Sequence, residues 1–403
     1  MSFSMNFNQN IYLDNAATGF PRPAIVTDSV SCWMLEEGGS PGRGHHFLSR
    51  RAGDQVSKIR RQVARFFGVN EEFRVAFTFG ATDALNMAIK GILRKDDHVI
   101  ISGMEHNSVL RPLRHLEAEG LISIDVISCN EEGYLVENLI WEAFHEKTKL
   151  IVINHASNVT GSIQAVAEIG AEIRRRGAYL LLDAAQSTGN IPIKIGELNA
   201  DMIVFAGHKG LFALPGVGGM IIGERINQLN TWRQGGTGYN SKSETQPLNW
   251  PEAFEAGTMN MPGIISLGKG IEYIEEQGLE AIASQKMAHL KYLWDTLSEI
   301  EGIKLYGPNP EKPRVAVLSL NITDWEPDDV AEILQHNYKV QVRSGLHCAP
   351  LAHNTLGTMP DGSVRISPGY FTKQEDLDTV VQAIKNMALS RVGWNLFNEA
   401  PAN

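Results

Sequence analysis

A chain of 403 residues, 43% apolar and 20% charged, has the composition of a folded globular protein, long enough for two or three domains of about 150 residues. A formal charge of -10 without a long basic run argues against sequence-independent nucleic-acid binding, which needs clustered cations to displace counterions from phosphate. The opening MSFSMNFNQN lacks the features of a secretory signal, no stretch nears the roughly 18 uninterrupted apolar residues of a membrane span, and Cys32, Cys129 and Cys348 are too scattered for a disulfide framework or a paired metal-ligand spacing, so a cytoplasmic protein without a metal is expected.

From residue 74 to 222, short apolar runs alternate with longer amphipathic stretches, the pattern of a mostly parallel sheet flanked by helices. The predicted strands are RVAFTF (74–79), HVIIS (98–102), ISIDVIS (122–128), LIVIN (150–154), YLLLD (179–183), MIVFA (202–206) and VGGMIIG (217–223). Between the first two, TDALNMAIKGIL puts Leu85, Ala88, Ile89 and Ile92 on one helical face. The strands are β-branched and continuously apolar, so both sheet faces should be covered. Residues 233–260, rich in Gly, Ser, Thr and Asn, read as a long loop. A helical region follows from about 264 to 300, and RVAVLSLNI, KVQVRS and SVRISPG mark a second strand-and-helix unit, assigned to a smaller domain.

Several strand ends carry residues with chemical potential. In TFGATDALN, Gly80, Ala81 and Thr82 lie between a strand and a helix start, whose unpaired N–H groups suit a phosphate; a plain turn capped by Thr82 fits the same residues. YLLLDAAQS ends a buried strand in Asp183, with Gln186 three positions on. An acid there could pair with the ring nitrogen of a pyridoxal cofactor, or cap a helix. FAGHKG places Lys209 beside His208 at a strand end, where partial burial would lower the amine pKa and make it a Schiff-base nucleophile. In VQVRSGLHCAPLAHN, Cys348 sits in a loop with Arg343 and His347, cationic neighbours of the kind that favour a thiolate; the alternative is a small buried hydrophobe. Arg365 in GSVRISPGY could grip a carboxylate with two prongs or form a surface ion pair, and His106 in MEHNSVLRP could stack on an aromatic ring, shuttle protons or merely start a helix.

Taken in order, YLDNAAT, LLDAAQ, AGHKG, EAGTMN, RSGLHCAP and RISPGYF resemble the cysteine desulfurases and selenocysteine lyases of the class V aminotransferase family, over nearly the whole chain. The resemblance implies an α/β fold, the fold-type I architecture of pyridoxal 5'-phosphate enzymes. It has a large domain with a seven-stranded, mostly parallel sheet (15–262) and a smaller α+β domain from both termini (1–14 and 263–403), in a homodimer. It implies catalytic roles for Lys209, Cys348 and His106. Cofactor contacts would come from Ala81, Thr82, His106, Asp183, Gln186, His208 and Lys209, with Thr258 reaching across from a partner subunit. Asn158, Arg343 and Arg365 would hold the substrate.

By the same resemblance Cys348 takes sulfur from cysteine and passes it as a persulfide to a protein acceptor, since the short loop after Cys348 is similar to the branch whose rigid cysteine loop works with a partner. Ala81 and Ala206 stand where many relatives carry hydroxyls, and Leu346 gives GLHCA where one branch has GHHCA. Other readings of the same residues are a selenocysteine lyase, a class V aminotransferase or C–S lyase in which Cys348 is incidental, and a non-catalytic scaffold.

Overall fold

The computed structural model describes residues 10–42, 44, 46–238 and 242–390; residues 1–9 and 391–403 of the expected small domain lie outside the described residues. After a short strand β1 (Ile11–Tyr12) come the seven strands of the main sheet: β2 (Val75–Thr78), β3 (Asp97–Ser102), β4 (Ile122–Ile127), β5 (Thr148–Asn154), β6 (Tyr179–Asp183), β7 (Met202–Ala206) and β8 (Gly218–Ile222). They lie in the order β2-β8-β7-β6-β5-β3-β4. Only β8 runs antiparallel to its neighbours, β2 and β7.

Every apolar run predicted as a strand before residue 224 is a strand of this one sheet. The physical reason is visible in the side-chain alternation. Ile151, Ile153, Leu180 and Leu182 face one hydrophobic core while Leu150, Val152 and Leu181 face the other, so a strand must be apolar throughout to serve both. The edge strand β4 departs from the expectation of full cover. Ser123, Asp125 and Val126 are exposed, whereas β2 at the opposite edge of the sheet is buried throughout.

The helical region predicted over 264–300 is two helices, Met261–Gln277 and Leu279–Leu297, divided at Gly278, whose φ of +84° suits glycine. The first buries Ile264, Leu267, Ile271 and Ile274 in the core of the main sheet, and the second buries Leu290, Leu293 and Leu297 in a separate core. That separate core lies under β9 (Ile303–Tyr306), β10 (Leu318–Ile322), β11 (Val340–Gln341) and β12 (Val364–Ile366). Strands β12-β10-β9 form an antiparallel sheet, while β11 takes β1 as its parallel partner, which returns the start of the chain to this second body.

Residues 233–260 hold no helix or strand among those described, as their composition predicts. They are tied to the sheet by a nearly buried ion pair. Arg60, on the helix Phe47–Phe67, donates from both terminal nitrogens to Glu255 (2.6 and 2.8 Å) and to the Val75 carbonyl (2.6 Å), and Glu255 also accepts from the Phe77 N–H (2.8 Å). Removing one partner strands the other charge away from water. Arg60→Met should therefore lower stability by about 3–5 kcal/mol, measured as a drop in the urea-unfolding midpoint; an unchanged midpoint would contradict this role.

Candidate active site

Strands β2, β3, β5, β6 and β7 point their carboxyl ends the same way, and the residues that follow them surround one cavity of about 620 Å³. Open α/β sheets bind ligands at this edge. Ala81 and Thr82 follow β2, His106 follows β3, Asn158 follows β5, Asp183 and Gln186 end or follow β6, and His208 and Lys209 follow β7. The second body closes the cavity with Arg343, His347 and Arg365. Two sequence-predicted residues lie elsewhere. Cys348 is not among the lining residues, and the exposed Thr258 lines a smaller neighbouring cavity with Phe77, Phe79 and Glu255.

Lys209 is half-buried, and loss of hydration lowers its pKa to about 8. The Asp183 carboxylate works against that shift, and the Arg365 and Arg343 cations add to it. The turn carrying the lysine is tightly held. Gly19 N–H and Thr18 Oγ1 donate to the His208 carbonyl at 2.8 and 3.1 Å, and a Cβ at Gly19 would sit 2.8 Å from the Lys209 carbonyl oxygen.

Asp183 is 3% exposed, and burial raises its pKa while the Ala185 N–H (2.9 Å) and Lys209 hold it down. Beside it lies a second buried acid that the sequence did not flag. Glu105 is 0% exposed, and burial, with a further push from the Asp183 charge, raises its pKa to about 8. Its Oε1 accepts from Ser102 Oγ (2.5 Å) and the Asn154 N–H (2.7 Å), and its Oε2 has no partner among the described residues. Burial thus pushes both acids toward the neutral form, and the Asp183 charge adds to the push on Glu105.

His106 caps the helix Asn107–Ala118, as its helix-start reading has it, and also faces the cavity. Its Nδ1 accepts from the Ser108 N–H (3.0 Å), which leaves the ring proton on Nε2; burial lowers its pKa to about 4. Ser108 Oγ lies 2.9 Å from the same Nδ1 and 2.7 Å from Thr82 Oγ1, joining the histidine to the helix start after β2. The capping alternatives do not hold for Thr82 or Asp183. The helix Ala81–Ile92 is capped by Gly80 without a side-chain bond, and the element after Asp183 is a strand.

Arg365 is 1% exposed, not a surface ion pair. One terminal nitrogen donates to Asp14 (2.5 Å), the other to the Asn158 carbonyl (3.2 Å), and Nε has no partner among the described residues. Asn158 Nδ2 donates to the His347 carbonyl (2.7 Å). A backbone bridge between Arg343 and Arg365 sets the two arginines on adjacent segments.

Cys348 is an exposed thiol 3.8 Å from Arg343 Nη2, in contrast to the buried-hydrophobe reading. Its carbonyl accepts from the Asn107 N–H (2.7 Å), so the loop is fastened one residue beyond His106. His347 and Cys348 have φ of +51° and +56°, a left-handed conformation that costs an L-residue about 1–2 kcal/mol.

The class-V aminotransferase family model matches residues 11–380. The chain belongs to the class-V aminotransferase family. It is 33% identical to a protein named "probable cysteine desulfurase" from Methanothermobacter thermautotrophicus, covering 94% of this chain and 95% of that one. It is 31% identical to a cysteine desulfurase of Salmonella agona, covering 93% and 92%. Among solved structures, the apo form of a cysteine desulfurase from Thermococcus onnurineus superposes with a TM-score of 0.88 at 31% identity, covering 96% of each chain. The α/β architecture expected from the sequence is thus that of the class-V aminotransferases, which depend on pyridoxal phosphate.

Within that family frame, Glu105, Ser108 and Asn154 are cavity or near-cavity groups that the sequence did not single out, and His347, expected as a cationic neighbour of Cys348, is buried with its pKa lowered to about 2 and so is neutral. MEHNS held a signal for two of them: an acid and a serine flanking a histidine just after a buried strand. The Lys209 titration is directly testable in cofactor-free protein, because only the uncharged amine reacts with trinitrobenzenesulfonate. Labelling of Lys209 should rise with pH through an inflection near 8, and Asp183→Asn, which removes a charge that favours the ammonium, should move it lower. An inflection at the ordinary lysine value, followed by peptide mass mapping, would contradict the burial argument.

Proposed function

We propose that this chain is a pyridoxal 5'-phosphate-dependent cysteine desulfurase that converts L-cysteine to L-alanine and holds the sulfur as a persulfide on Cys348 for transfer to a protein acceptor. The observation that carries this reading is the joint placement of Lys209, Asp183 and Arg365 around one cavity, with an exposed thiol held against Arg343 beside it. The names of the relatives support the substrate.

The residues present fit the cofactor. Lys209 would hold its aldehyde end, Asp183 its ring nitrogen, Gln186 its phenolate oxygen and His106 a ring face. Its phosphate would meet the unpaired N–H groups at Ala81 and Thr82, the Thr82 hydroxyl and His208, with Thr258 of the partner subunit. Backbone donors at the helix start take the place of hydroxyls at Ala81 and Ala206. When bound, the cofactor supplies an electron sink for the substrate Cα.

The rest of the chemistry falls to side chains. Arg365, whose Nε is unpartnered among the described residues, binds the substrate carboxylate with Asn158 and Arg343. Lys209, with a pKa near 8, accepts and returns the Cα proton close to neutral pH. His106 presents Nε2–H as a proton donor. The Cys348 sulfur attacks the substrate sulfur; the carbon–sulfur bond breaks with its electron pair left on carbon, and protonation there completes alanine.

The same reading places this protein in the cytoplasm as a homodimer. Exposed Met34 (64%), Leu35 (86%) and Phe47 (63%) near the amino terminus supply an apolar surface for a second copy. Among the described residues no helix is long and apolar enough to cross a membrane, and no cluster of three or more His, Cys, Asp or Glu is placed to hold a metal. The division of the chain at 14/15 is supported by the β1–β11 pairing, whereas the helix Met261–Gln277 packs in the main-sheet core and so moves the second boundary from 262/263 toward Gly278.

Cys348→Ala should keep the visible absorption of the bound cofactor and lose alanine and persulfide formation from cysteine by on the order of 1000-fold. Parental turnover by this variant would overturn the role of the thiol. Faster turnover of selenocysteine than of cysteine by the parent would move the assignment to a lyase.

A further inference from the structure

Behind Cys348 lies a chain of buried side chains that the proposed chemistry does not use. His347 is 3% exposed, His353 0% and Thr358 7%. His347 Nε2 lies 3.3 Å from the Arg343 carbonyl, His347 Nδ1 lies 3.3 Å from His353 Nε2, and His353 Nδ1 lies 2.7 Å from Thr358 Oγ1. A carbonyl can only accept, so His347 Nε2 must carry the proton and Nδ1 must accept. His353 therefore donates from Nε2 and accepts at Nδ1, and the Thr358 hydroxyl donates to it.

Every bond in this series runs one way, from Thr358 to the Arg343 carbonyl. This direction holds with both rings neutral, each with one donor and one acceptor nitrogen. Burial keeps them so, lowering His347 to about 2 and His353 to about 4.

What this chain holds is the strained part of the loop. His347 and Cys348 occupy the left-handed region in succession, and their carbonyls are fixed by Asn158 Nδ2 and the Asn107 N–H, both at 2.7 Å. Those two bonds fix the backbone from the side of the main sheet. Ring orientation at His347 is set at Nε2 by the Arg343 carbonyl within the loop and at Nδ1 by His353, carried on the short helix Pro350–Leu356 and itself bonded to Thr358 just after it.

We propose that His353 and Thr358 are positioning residues that, through His347, hold the Cys348 thiol against Arg343 at the edge of the Lys209 cavity. This inference rests on the reading of Cys348 as the sulfur-accepting group. It gives that thiol a prepared geometry, where an otherwise mobile loop would have to find it in each turnover.

The test uses the cofactor-loaded enzyme with His353→Phe, His353→Gln and Thr358→Val. His353→Phe removes both ring nitrogens, whereas His353→Gln keeps an amide donor toward His347 and an acceptor toward Thr358. The Phe and Val variants should lower kcat for persulfide formation by about 10- to 100-fold, with KM for cysteine and the cofactor absorption changed less than about twofold. Iodoacetamide alkylation of Cys348, followed on its own peptide, should slow in both, and His353→Gln should recover most of each effect.

Parental alkylation and persulfide rates in Thr358→Val overturn the proposal, and this near-isosteric change decides the matter should His353→Phe fail to fold. Failure of the underlying reading looks different: Cys348→Ala would then turn over cysteine at the parental rate, whatever the relay variants do.

Discussion

A primary amine partly stripped of water beside the buried Asp183 sets the terms for the rest of this cavity. Hydration is what ordinarily keeps a lysine charged at neutral pH, and at position 209 enough of it is removed to lower the pKa to about 8. The opposing pull of Asp183 stops the shift there. Burial, reinforced by the Asp183 charge, raises the neighbouring Glu105 to about 8, holding this second acid toward its protonated form while it accepts from Ser102 and the Asn154 N–H. The site therefore combines a reactive amine, the buried acids Asp183 and Glu105, and two arginines, of which Arg365 is paired with Asp14.

The two-body construction follows from the same requirement. A doubly covered parallel sheet delivers Lys209, Asp183 and His106 to one edge, because side chains beyond the strand ends have nowhere else to go. It cannot also close that edge over a ligand. Arg343, His347 and Arg365 come from the second body, tied in by the bond from Arg365 to the Asn158 carbonyl and by Asn158 on the His347 carbonyl. The cysteine loop is thus referenced to the sheet at two points, and its thiol stands at the boundary with solvent.

Much of this was legible in the sequence. Strands covered on both faces announce themselves as unbroken apolar runs, and each of those before residue 224 was found; β4, with solvent on one flank, carries Asp125 and kept its place in the sheet through its Ile residues. Residues at strand ends, such as Asp183 and Lys209, could be singled out because the pattern says where a strand stops. Partnerships across long separations left no such trace. Arg60 meets Glu255 195 positions away, and Glu105 meets Asn154 49 positions away. His353 reads as an ordinary polar residue of a short helix until the fold sets it against His347.

Lys209 has a natural rival in Lys286, which is 8% exposed, also has a pKa lowered by burial to about 8, and lines a second, smaller cavity together with Lys209. Its amine faces the Asn190 amide oxygen (2.9 Å) and the Phe212 ring, and among the described residues no carboxylate charge opposes its shift. Borohydride reduction of the pyridoxal-phosphate-loaded protein, followed by peptide mass mapping, tells the two apart. The account predicts the reduced cofactor on Lys209 alone, whereas cofactor fixed to Lys286, or to no lysine, would contradict it.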